Sequence, residues 1–346
     1  MRTGIANLPL HYGSAPRWLF DRMVKLAKGI SEVIVLEHGH NVFLEKISDP
    51  HWFQAFGCVL GFDWHSSGVT TTVCGAVKEA LKNNELGLQV AGGKGKTSRK
   101  TPFEIENTRF SLSTDKINNL VYASRMAAKV DNNCVQDGYQ LYHHCFIFTE
   151  KGKWAVVQQG MGNRYARRYH WLSDGVDDFV VEPQNAICCD RKHEKVLDMT
   201  AKQSIEARKI SVDLAKENPA RLVKILNMKA RHNIVKEDLS SHTIRALKNA
   251  YEIQPNNYEE LVSLRGIGPK SIRALALVSE LVYGKPASYK DPVKFSFAHG
   301  GKDGFPYPVD KKVYDGTVVT LREALDKAKI GEKDKVYAIK RLKRFL

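Results

Sequence analysis

Residues 139–159 read YQLYHHCFIFTEKGKWAVVQQ and contain the two strongest strand signals in the chain. Two segments, Tyr139–Thr149 and Trp154–Gln159, are rich in the aromatic and β-branched residues that favour extended backbone. The polar connection between them, Glu150–Lys153, is short and contains Gly152, which is typical of a hairpin turn. The sequence therefore predicts that these two segments pair as central strands of a sheet.

The pattern around this hairpin is mixed in the first part of the chain and almost entirely helical afterwards. Apolar spacing and proline positions predict helices over 16–28, 69–81, 115–130, 195–217, 219–231, 238–252, 256–264, 269–283, 320–329 and 332–345. A β-like run covers 31–36, and a loop is predicted over 284–309. We therefore expect an α/β or α+β domain over 1–193, followed by an all-α domain over 194–346.

The charge of the chain is unevenly distributed. Its 346 residues have a formal net charge of +15 at neutral pH. Residues 1–193 contain 23 Lys and Arg against 19 Asp and Glu, whereas residues 194–346 contain 30 against 19. Because the basic excess belongs to the predicted helical domain, that domain is expected to bind the phosphate groups of nucleic acid.

The six cysteines, at positions 58, 74, 134, 145, 188 and 189, include no CxxC pair. This spacing is typical neither of a zinc ribbon nor of a secreted disulfide framework, so we expect mostly buried, reduced thiols in a cytoplasmic protein. The sequence has no apolar run long enough to predict a membrane span. The amino terminus, MRTGIA, lacks the apolar segment of a signal peptide.

Nine of the twelve histidines fall within residues 1–193, in clusters with aromatic and charged residues. On the predicted strand, His143 and His144 point to opposite faces, so one of them is expected to face an interior or a pocket. Buried polar groups need hydrogen-bond partners, and proteins tend to accept that cost at functional sites. We expect a polar pocket that contains His143 or His144; a hydrogen-bonded structural histidine is the alternative.

These residue types are suited to phosphodiester hydrolysis, because imidazole and carboxylate groups can act as general base and acid or bind an ion that activates water. The candidate catalytic residues are His143, His144, Asp137, Arg125, Lys129 and His170, with Arg167 and Arg168 as further cations for the transition state. The candidate ligands for a Mg²⁺ or Mn²⁺ ion are Asp131, Asp137 and Glu182, with Asp190 as a further carboxylate. Neither an HExxH motif nor a Walker A loop is present, and no nucleotide cofactor is expected.

A second informative stretch, residues 258–283, reads YEELVSLRGIGPKSIRALALVSELVY. Its two glycines allow a sharp turn, and Pro269 suits the first position of a helix, where free amide groups attract an anion. The stretch resembles the helix-hairpin-helix DNA-binding motif. That resemblance implies contact with the DNA backbone through Gly266, Gly268, Lys270 and Arg273. An ordinary helical turn closed by a glycine is the alternative.

The segment GGKGKTSRKTP, residues 92–102, is also basic. We expect it to be a flexible loop that contacts the DNA backbone through Arg99 and Lys100, or else a plain surface loop. The basic helix predicted at the end of the chain either lies on DNA or is simply solvated.

Over nearly its full length the chain resembles the DUF763 family, an uncharacterised group found in archaea and some bacteria. The matching residues are LPLHYG (8–13), PRWLF (16–20), SRKTP (98–102), QDGY (136–139) with His143 and His144, QQGM (158–161) and GIGPKSIR (266–273). The family name itself implies no function.

The helical part also resembles helix-hairpin-helix DNA glycosylases with lyase activity. In this resemblance Lys270 takes the position of the Schiff-base lysine, and Asp310 takes that of its activating aspartate. We predict first a metal-dependent DNA nuclease that acts in DNA repair. The alternatives are a glycosylase or lyase that uses Lys270 and Asp310, and a DNA-binding protein without enzymatic activity.

Overall fold

The computed structural model describes residues 15–61, 67–189, 192–228, 240–293 and 310–345. The helices in these ranges are α1 (Arg17–Ser48), α2 (Pro50–Leu60), α3 (Ser67–Ala80), α4 (Thr101–Glu106), α5 (Thr114–Lys129), α6 (Ile205–Ala215), α7 (Pro219–Met228), α8 (Ser241–Ile253), α9 (Tyr258–Ser263), α10 (Pro269–Tyr283), α11 (Lys311–Lys327) and α12 (Glu332–Phe345). The strands are β1 (Leu88–Lys94), β2 (Val135–Gln136), β3 (Gln140–Thr149), β4 (Trp154–Met161), β5 (Ala166–Leu172), β6 (Ala186–Cys188) and β7 (Leu197–Asp198). A 3₁₀ helix covers Gly95–Lys100, and a π-helical turn covers Val130–Cys134.

Five strands form one antiparallel sheet in the order β1-β3-β4-β5-β6, and β2 pairs separately with β7. The predicted hairpin is confirmed, because β3 and β4 pair with Phe146 opposite Val156. Its turn is closed by a hydrogen bond of 2.9 Å from the Thr149 amide to the Lys153 carbonyl oxygen. Since each pairing in the five-stranded sheet is antiparallel, the fold is α+β rather than α/β.

The sheet lies between two layers of helices, because successive side chains of a strand point to opposite faces. On one face, Phe146 and Trp171 belong to a hydrophobic cluster shared with α5, α6 and α8 to α10. On the other face, Ile147 and Val157 belong to a cluster shared with α1 to α3, α11 and α12. These two sides are called the α5 face and the α1 face below.

Helices from the last part of the chain contribute to both layers. Leu214 of α6 and Leu275 of α10 lie in the same cluster as Phe146. Leu325 of α11 lies in the cluster of the α1 face. The sheet and the later helices therefore share hydrophobic cores, while the division of the chain into domains at residue 193 stays a prediction.

The β-like run at 31–36 is wrong as a strand prediction, because it lies inside α1. Ser31, Ile34 and Val35 are buried, and a spacing of three and four residues places them on one side of a helix. β-branched residues disfavour the helix only weakly, so the burial of this side of α1 in the core outweighs their preference for extended backbone.

The helix predicted over 195–217 begins later, at Ile205. The residues before it form β7 and a turn in which the Asp198 carboxylate accepts from the amides of Thr200 and Ala201 at 2.8 and 3.2 Å. Such local side-chain bonds compete with helix formation. The helix predicted over 320–329 instead covers Lys311–Lys327.

Parts of the predicted segments 219–231, 238–252 and 284–309 lie outside the described residues. All six cysteines are buried, as expected, and each is a thiol rather than half of a disulfide. Burial raises the pKa of the Cys134 and Cys188 thiols to about 12, so both are neutral. No helix in the described ranges is long and apolar enough to cross a membrane.

Candidate functional site

His144 begins a buried chain of hydrogen bonds on the α5 face. Its Nε2 lies 2.9 Å from Ser124 Oγ of α5, and its Nδ1 lies 2.7 Å from the amide oxygen of Gln158 on β4. Because that oxygen can only accept, Nδ1 carries the proton and Nε2 accepts from the Ser124 hydroxyl. Burial lowers the pKa of His144 to about 4, so the ring is neutral at neutral pH.

The chain of hydrogen bonds continues from Gln158 to Asp131 in the π-helical turn. The Gln158 amide nitrogen donates to the Asp131 carboxylate. Trp171 Nε1 and Gln184 Nε2 donate to the same carboxylate at 2.8 and 2.6 Å. Burial raises the pKa of Asp131 to about 7, and the three donors oppose this rise. Hydrogen-bond donors of the protein therefore occupy both carboxylate oxygens of Asp131, which was predicted to bind a metal ion.

Asp137 lies in a buried ion cluster at the start of β3. Arg167 of β5 donates to Asp137 Oδ2 at 2.9 Å, and the Tyr169 hydroxyl donates to the same oxygen at 2.7 Å. The guanidinium also donates to Asp291, and the three charged side chains are fully buried. Burial raises the pKa of Asp137, while the Arg167 charge opposes the rise. Asp137 thus balances a buried cation.

His170 and Arg168 lie on the α1 face. His170 Nε2 accepts from Arg168 Nε at 2.9 Å, and its Nδ1 lies 3.2 Å from the carbonyl oxygen of Ile47. Its ring packs edge-on against Phe53, with 5.5 Å between ring centroids. Burial and the neighbouring Arg168 charge lower the pKa of His170 well below its usual range. This geometry makes His170 a packing contact between β5 and the helices α1 and α2.

His143 differs from the other two histidines. Its side chain is buried, and neither ring nitrogen has a hydrogen-bond partner among the described residues. Cys145 lies two residues further along β3 on the same face, and Cys74 lies on α3. The ligand atoms of these three side chains all lie within 4.8 Å of one another. This buried cluster can hold a metal ion.

The carboxylates predicted to bind a metal do not form such a cluster within the described ranges. Glu182 is half-buried, and its carboxylate accepts from the backbone amide of Lys202 at 3.2 Å. Asp190 lies outside the described residues. Mg²⁺ and Mn²⁺ prefer oxygen ligands, whereas thiolate and imidazole favour Zn²⁺ or Cu⁺. The Cys74, His143 and Cys145 cluster therefore suits Zn²⁺ or Cu⁺, whereas the sequence predicted a carboxylate site for Mg²⁺ or Mn²⁺.

A small cavity lies beside the buried network of the α5 face. It has a volume of about 120 Å³, and Glu182, Gln184 and Asp291 contribute to its walls. His144 and Asp137 are not among its lining residues. The predicted acid and base groups therefore have no contact with this cavity.

The predicted pair of helices at 258–283 is present as α9 and α10, joined by residues 264–268. Gly266 has a φ of 92°, which residues with a side chain rarely adopt, and an added Cβ would lie 3.2 Å from the Cβ of Ala246. Gly268 precedes α10 and provides no side-chain cap at the start of this helix. Lys270 and Arg273 are exposed at this helix start.

Lys129 lies at the end of α9, although it was predicted to be catalytic. Its amine donates to three carbonyl oxygens, at 2.9, 2.7 and 2.7 Å, those of Val262, Ser263 and Leu264. A cation at this end of a helix also interacts favourably with the helix dipole. Partial burial lowers the pKa of Lys129 to about 8. The contacts fix the position of the α9–α10 turn relative to α5.

The α9–α10 turn lies beside the amino-terminal end of β3. Gln136 of β2 donates to the Pro269 carbonyl oxygen at 2.7 Å and accepts from Arg273 Nε at 2.8 Å. The side chain of Asn132 accepts from the Leu141 amide of β3 at 3.3 Å. The start of α10 is therefore attached to the segment that leads into β3.

The segment 92–102, predicted to be a loop, consists of the end of β1, a 3₁₀ helix and the start of α4. Lys94, the last residue of β1, lies opposite His143 near the start of β3. At Gly92 an added Cβ would lie 2.2 Å from the carbonyl oxygen of His144, so a side chain cannot fit there. Gly92 therefore permits the close approach of β1 to β3.

Two basic segments thus lie at the same end of the sheet, one after β1 and one at the α9–α10 turn. Arg125, on α5 one residue after Ser124, is exposed at the same end. We call this surface the basic end and define it by the exposed side chains of Lys96, Arg99, Lys100, Arg125, Arg265, Lys270 and Arg273.

Lys270 and Asp310 belong to different layers of the fold. Lys270 is in the first turn of α10, on the α5 face. Asp310 precedes α11, which packs on the α1 face, and its carboxylate accepts from the Val313 amide at 3.2 Å. The described structure does not bring the predicted lysine and aspartate together.

Some functional candidates were not predicted from the sequence. Cys145 could have been recognised, because residues two apart on a strand share a face with each other, as His143 and Cys145 do. Cys74 could not, since its position depends on the packing of α3 against the sheet. Arg265 lies between Leu264 and Gly266 in the α9–α10 turn, and its contribution to the basic end was not predicted.

The protein thus has an α+β fold whose central sheet contains buried polar side chains. Its two candidate sites are the buried Cys74, His143 and Cys145 cluster and the basic end. The chain belongs to the DUF763 family: the model of that family, described as a protein of unknown function, matches residues 4–309. No curated protein and no solved structure matches the chain. The resemblance of α9 and α10 to the helix-hairpin-helix motif stays a prediction.

Proposed function

We propose that this chain is a DNA-binding protein that holds the phosphate backbone at its basic end. The observation that carries the proposal is the position of two basic segments, Gly95–Lys100 and the α9–α10 turn, at one end of the sheet. Cations clustered on one surface attract the phosphates of nucleic acid. Contacts of this kind position a protein on DNA without reading its sequence.

The α9–α10 turn supports the proposal with a second type of contact. No side chain caps the start of α10, and the amino-terminal end of a helix attracts anions. Lys270 and Arg273 add positive charge at the same helix start. Amides and side chains together are a common arrangement for contact with DNA phosphates.

Cleavage of the bound DNA has less support than binding. His144 and His170 are buried and hydrogen-bonded on both ring nitrogens, and Asp137 is bound to Arg167. A general base must come within hydrogen-bond reach of the proton that it removes. Binding without hydrolysis is therefore the function that we favour. The nuclease stays a prediction, and the separation of Lys270 from Asp310 leaves the lyase without a supporting contact.

The test is the affinity for fluorescent duplex and single-stranded DNA over a range of salt concentrations. Two double variants remove charge from the basic end, Lys270→Glu with Arg273→Glu and Arg99→Glu with Lys100→Glu. The matched control, Lys116→Glu with Lys151→Glu, reverses the same number of exposed positive charges at the opposite end of the sheet.

Wild-type affinity should fall steeply with salt, because each neutralised phosphate releases counterions. Each basic-end variant should weaken binding at least about tenfold and lower the salt slope by about 1 for each lost contact. The control variant should bind like the wild type. Affinity that is independent of salt, or an equal loss in the control, would contradict the proposal.

The same mixtures distinguish the enzymatic alternatives. Cleavage with Mg²⁺ or Mn²⁺ that stops in EDTA and in His144→Ala would replace this proposal by the nuclease. A borohydride-trapped adduct with abasic DNA that is lost in Lys270→Ala would replace it by the lyase, which needs a Schiff base. We expect neither product.

A further inference from the structure

The α1 face of the sheet contains a site that is separate from the basic end and does not depend on DNA binding. We infer that Cys74, His143 and Cys145 bind one thiophilic metal ion, either Zn²⁺ or Cu⁺. The three side chains come from two elements, α3 and β3, and all are buried.

The spacing of the three side chains fits a shared ion. Their ligand atoms lie within 4.8 Å of one another. Around a tetrahedral zinc ion, bond lengths of about 2.3 Å to sulfur and about 2.0 Å to nitrogen place neighbouring ligand atoms roughly 3.5 Å apart. The ligand atoms therefore need to approach one another by no more than roughly 1.3 Å to share a zinc ion.

His143 supplies an independent reason to expect a ligand. Its side chain is only 1% exposed, and neither ring nitrogen has a hydrogen-bond partner in the described ranges. His144 and His170, equally buried in the same sheet, have partners on both nitrogens. Buried polar atoms nearly always have a partner. The two unpaired nitrogens of His143 therefore point to a bound ligand such as a metal ion.

The donor set decides the class of ion. Thiolate sulfur and imidazole nitrogen favour Zn²⁺ and Cu⁺ over Mg²⁺ and Mn²⁺. Binding converts two thiols to thiolates and releases two protons to solvent, while the neutral imidazole donates a lone pair. With Zn²⁺ the ion and two thiolates carry no net charge, which suits a buried position. Three protein ligands complete a trigonal Cu⁺ site or leave a fourth position on Zn²⁺.

The burial of the cluster gives the ion a structural role. The ion would link α3 to β3 on the α1 face, where Val73 of α3 and Ile147 of β3 belong to one hydrophobic cluster. A bound ion stabilises the folded state, because the unfolded chain has no preformed site. Metal binding should therefore raise the unfolding temperature.

The experiment titrates metal-free, reduced full-length protein separately with Zn²⁺, with Cu⁺ under reducing conditions, and with Mg²⁺. Bound metal is measured by mass spectrometry, and Co²⁺ replaces Zn²⁺ as an optical probe of sulfur ligation. We expect one Zn²⁺ or Cu⁺ per chain and no retained Mg²⁺. The coordination number measured in each complex, three for Cu⁺ or four for Zn²⁺, shows which ion the site suits, because raw affinity alone does not select between them.

Three variants, Cys74→Ser, His143→Ala and Cys145→Ser, should each weaken binding about 100-fold or more, since a loss in the surrounding shell alone costs 10- to 100-fold. The controls Cys134→Ser and Cys188→Ser remove equally buried thiols outside the cluster and should retain the ion. Retention of the ion by the Cys74→Ser, Cys145→Ser double variant would overturn the inference.

A measurement on the wild type keeps the test decisive where a variant does not fold. X-ray absorption at the metal edge should report two sulfur neighbours near about 2.3 Å and one nitrogen near about 2.0 Å. A shell made of oxygen alone, or no stoichiometric binding of either ion, would overturn the inference. So would a disulfide between Cys74 and Cys145 in the native protein.

Discussion

Arg167 on β5 donates two hydrogen bonds to Asp291, one to each carboxylate oxygen, at 3.0 and 2.8 Å. The two residues are 124 positions apart in the sequence, and both side chains are fully buried. Arg167 also binds Asp137, so one guanidinium holds two carboxylates from distant segments. This contact attaches the segment after α10 to the sheet.

Replacing Arg167 by alanine should strongly destabilise the protein. The change leaves Asp137 and Asp291 buried without their cation, and breaking a buried ion pair in this way costs about 3–5 kcal/mol. Urea unfolding measures the loss. The comparison is Lys209→Ala, which breaks an exposed pair with Glu206 and should leave stability unchanged within error. Equal stabilities for the two variants would contradict the importance of the buried cluster.

His144 should make stability depend on pH below about 6.5. Its pKa is about 4 in the folded state, against the ordinary histidine value of 6.5 in the unfolded chain. As pH falls through this window, His144 takes up a proton in the unfolded chain but stays neutral in the folded protein. The free energy of unfolding therefore decreases. The contribution is about 2 kcal/mol at pH 5 relative to pH 7.5.

Unfolding of His144→Gln at the two pH values measures that contribution. The variant should lose about 2 kcal/mol less than the wild type between pH 7.5 and pH 5. Exposed His38 provides the control, because His38→Gln should retain the wild-type pH dependence. An identical pH dependence for all three proteins would show that His144 takes up its proton without unfolding.

Gly92 should tolerate alanine far less than Gly95 does. Both have a positive φ, of 87° and 61°. An alanine Cβ at Gly92 would lie 2.2 Å from the His144 carbonyl oxygen, whereas at Gly95 it would meet nothing within 4 Å. We expect a loss of about 1 kcal/mol for Gly95→Ala and about 2–4 kcal/mol for Gly92→Ala. Thermal or urea unfolding would contradict this if both losses were the same.

Removing the Lys129 side chain should loosen the α9–α10 turn. Lys129→Ala leaves three carbonyl oxygens without their charged donor, which should cost about 2 kcal/mol or more. Hydrogen exchange of the amides over 264–272 should become faster. Arg125→Ala, at an exposed position one helical turn earlier, should leave that exchange unchanged. Unchanged protection in Lys129→Ala would mean that other contacts hold the turn.

The central hairpin could be predicted because its signals are local. Aromatic and β-branched residues fill β3 and β4, and a short polar turn joins them. Helix α10 could be predicted for the same reason, since Pro269 marks its first position and Gly284 follows its last. The run at 31–36 failed, because packing of α1 decided its structure.

The candidate site could be predicted only in part. The sequence pointed to a polar sheet with His143 and His144 on opposite faces, and that arrangement is present. It did not reveal which polar groups are paired, since Gln158, Asp131 and Gln184 come together from separate elements. The predicted carboxylate metal site required a proximity that the residue types alone could not supply.

The sequence by itself determined the strand pair, the helices around the glycine turn and the excess of positive charge. These depend on neighbours within a few residues and on composition. The tertiary structure alone decided that Arg99 and Lys270 share one end of the sheet, and that Cys74 meets His143 and Cys145. Such contacts arise when the apolar sides of distant helices bury themselves on the two faces of one sheet, which brings residues together regardless of their separation in the chain.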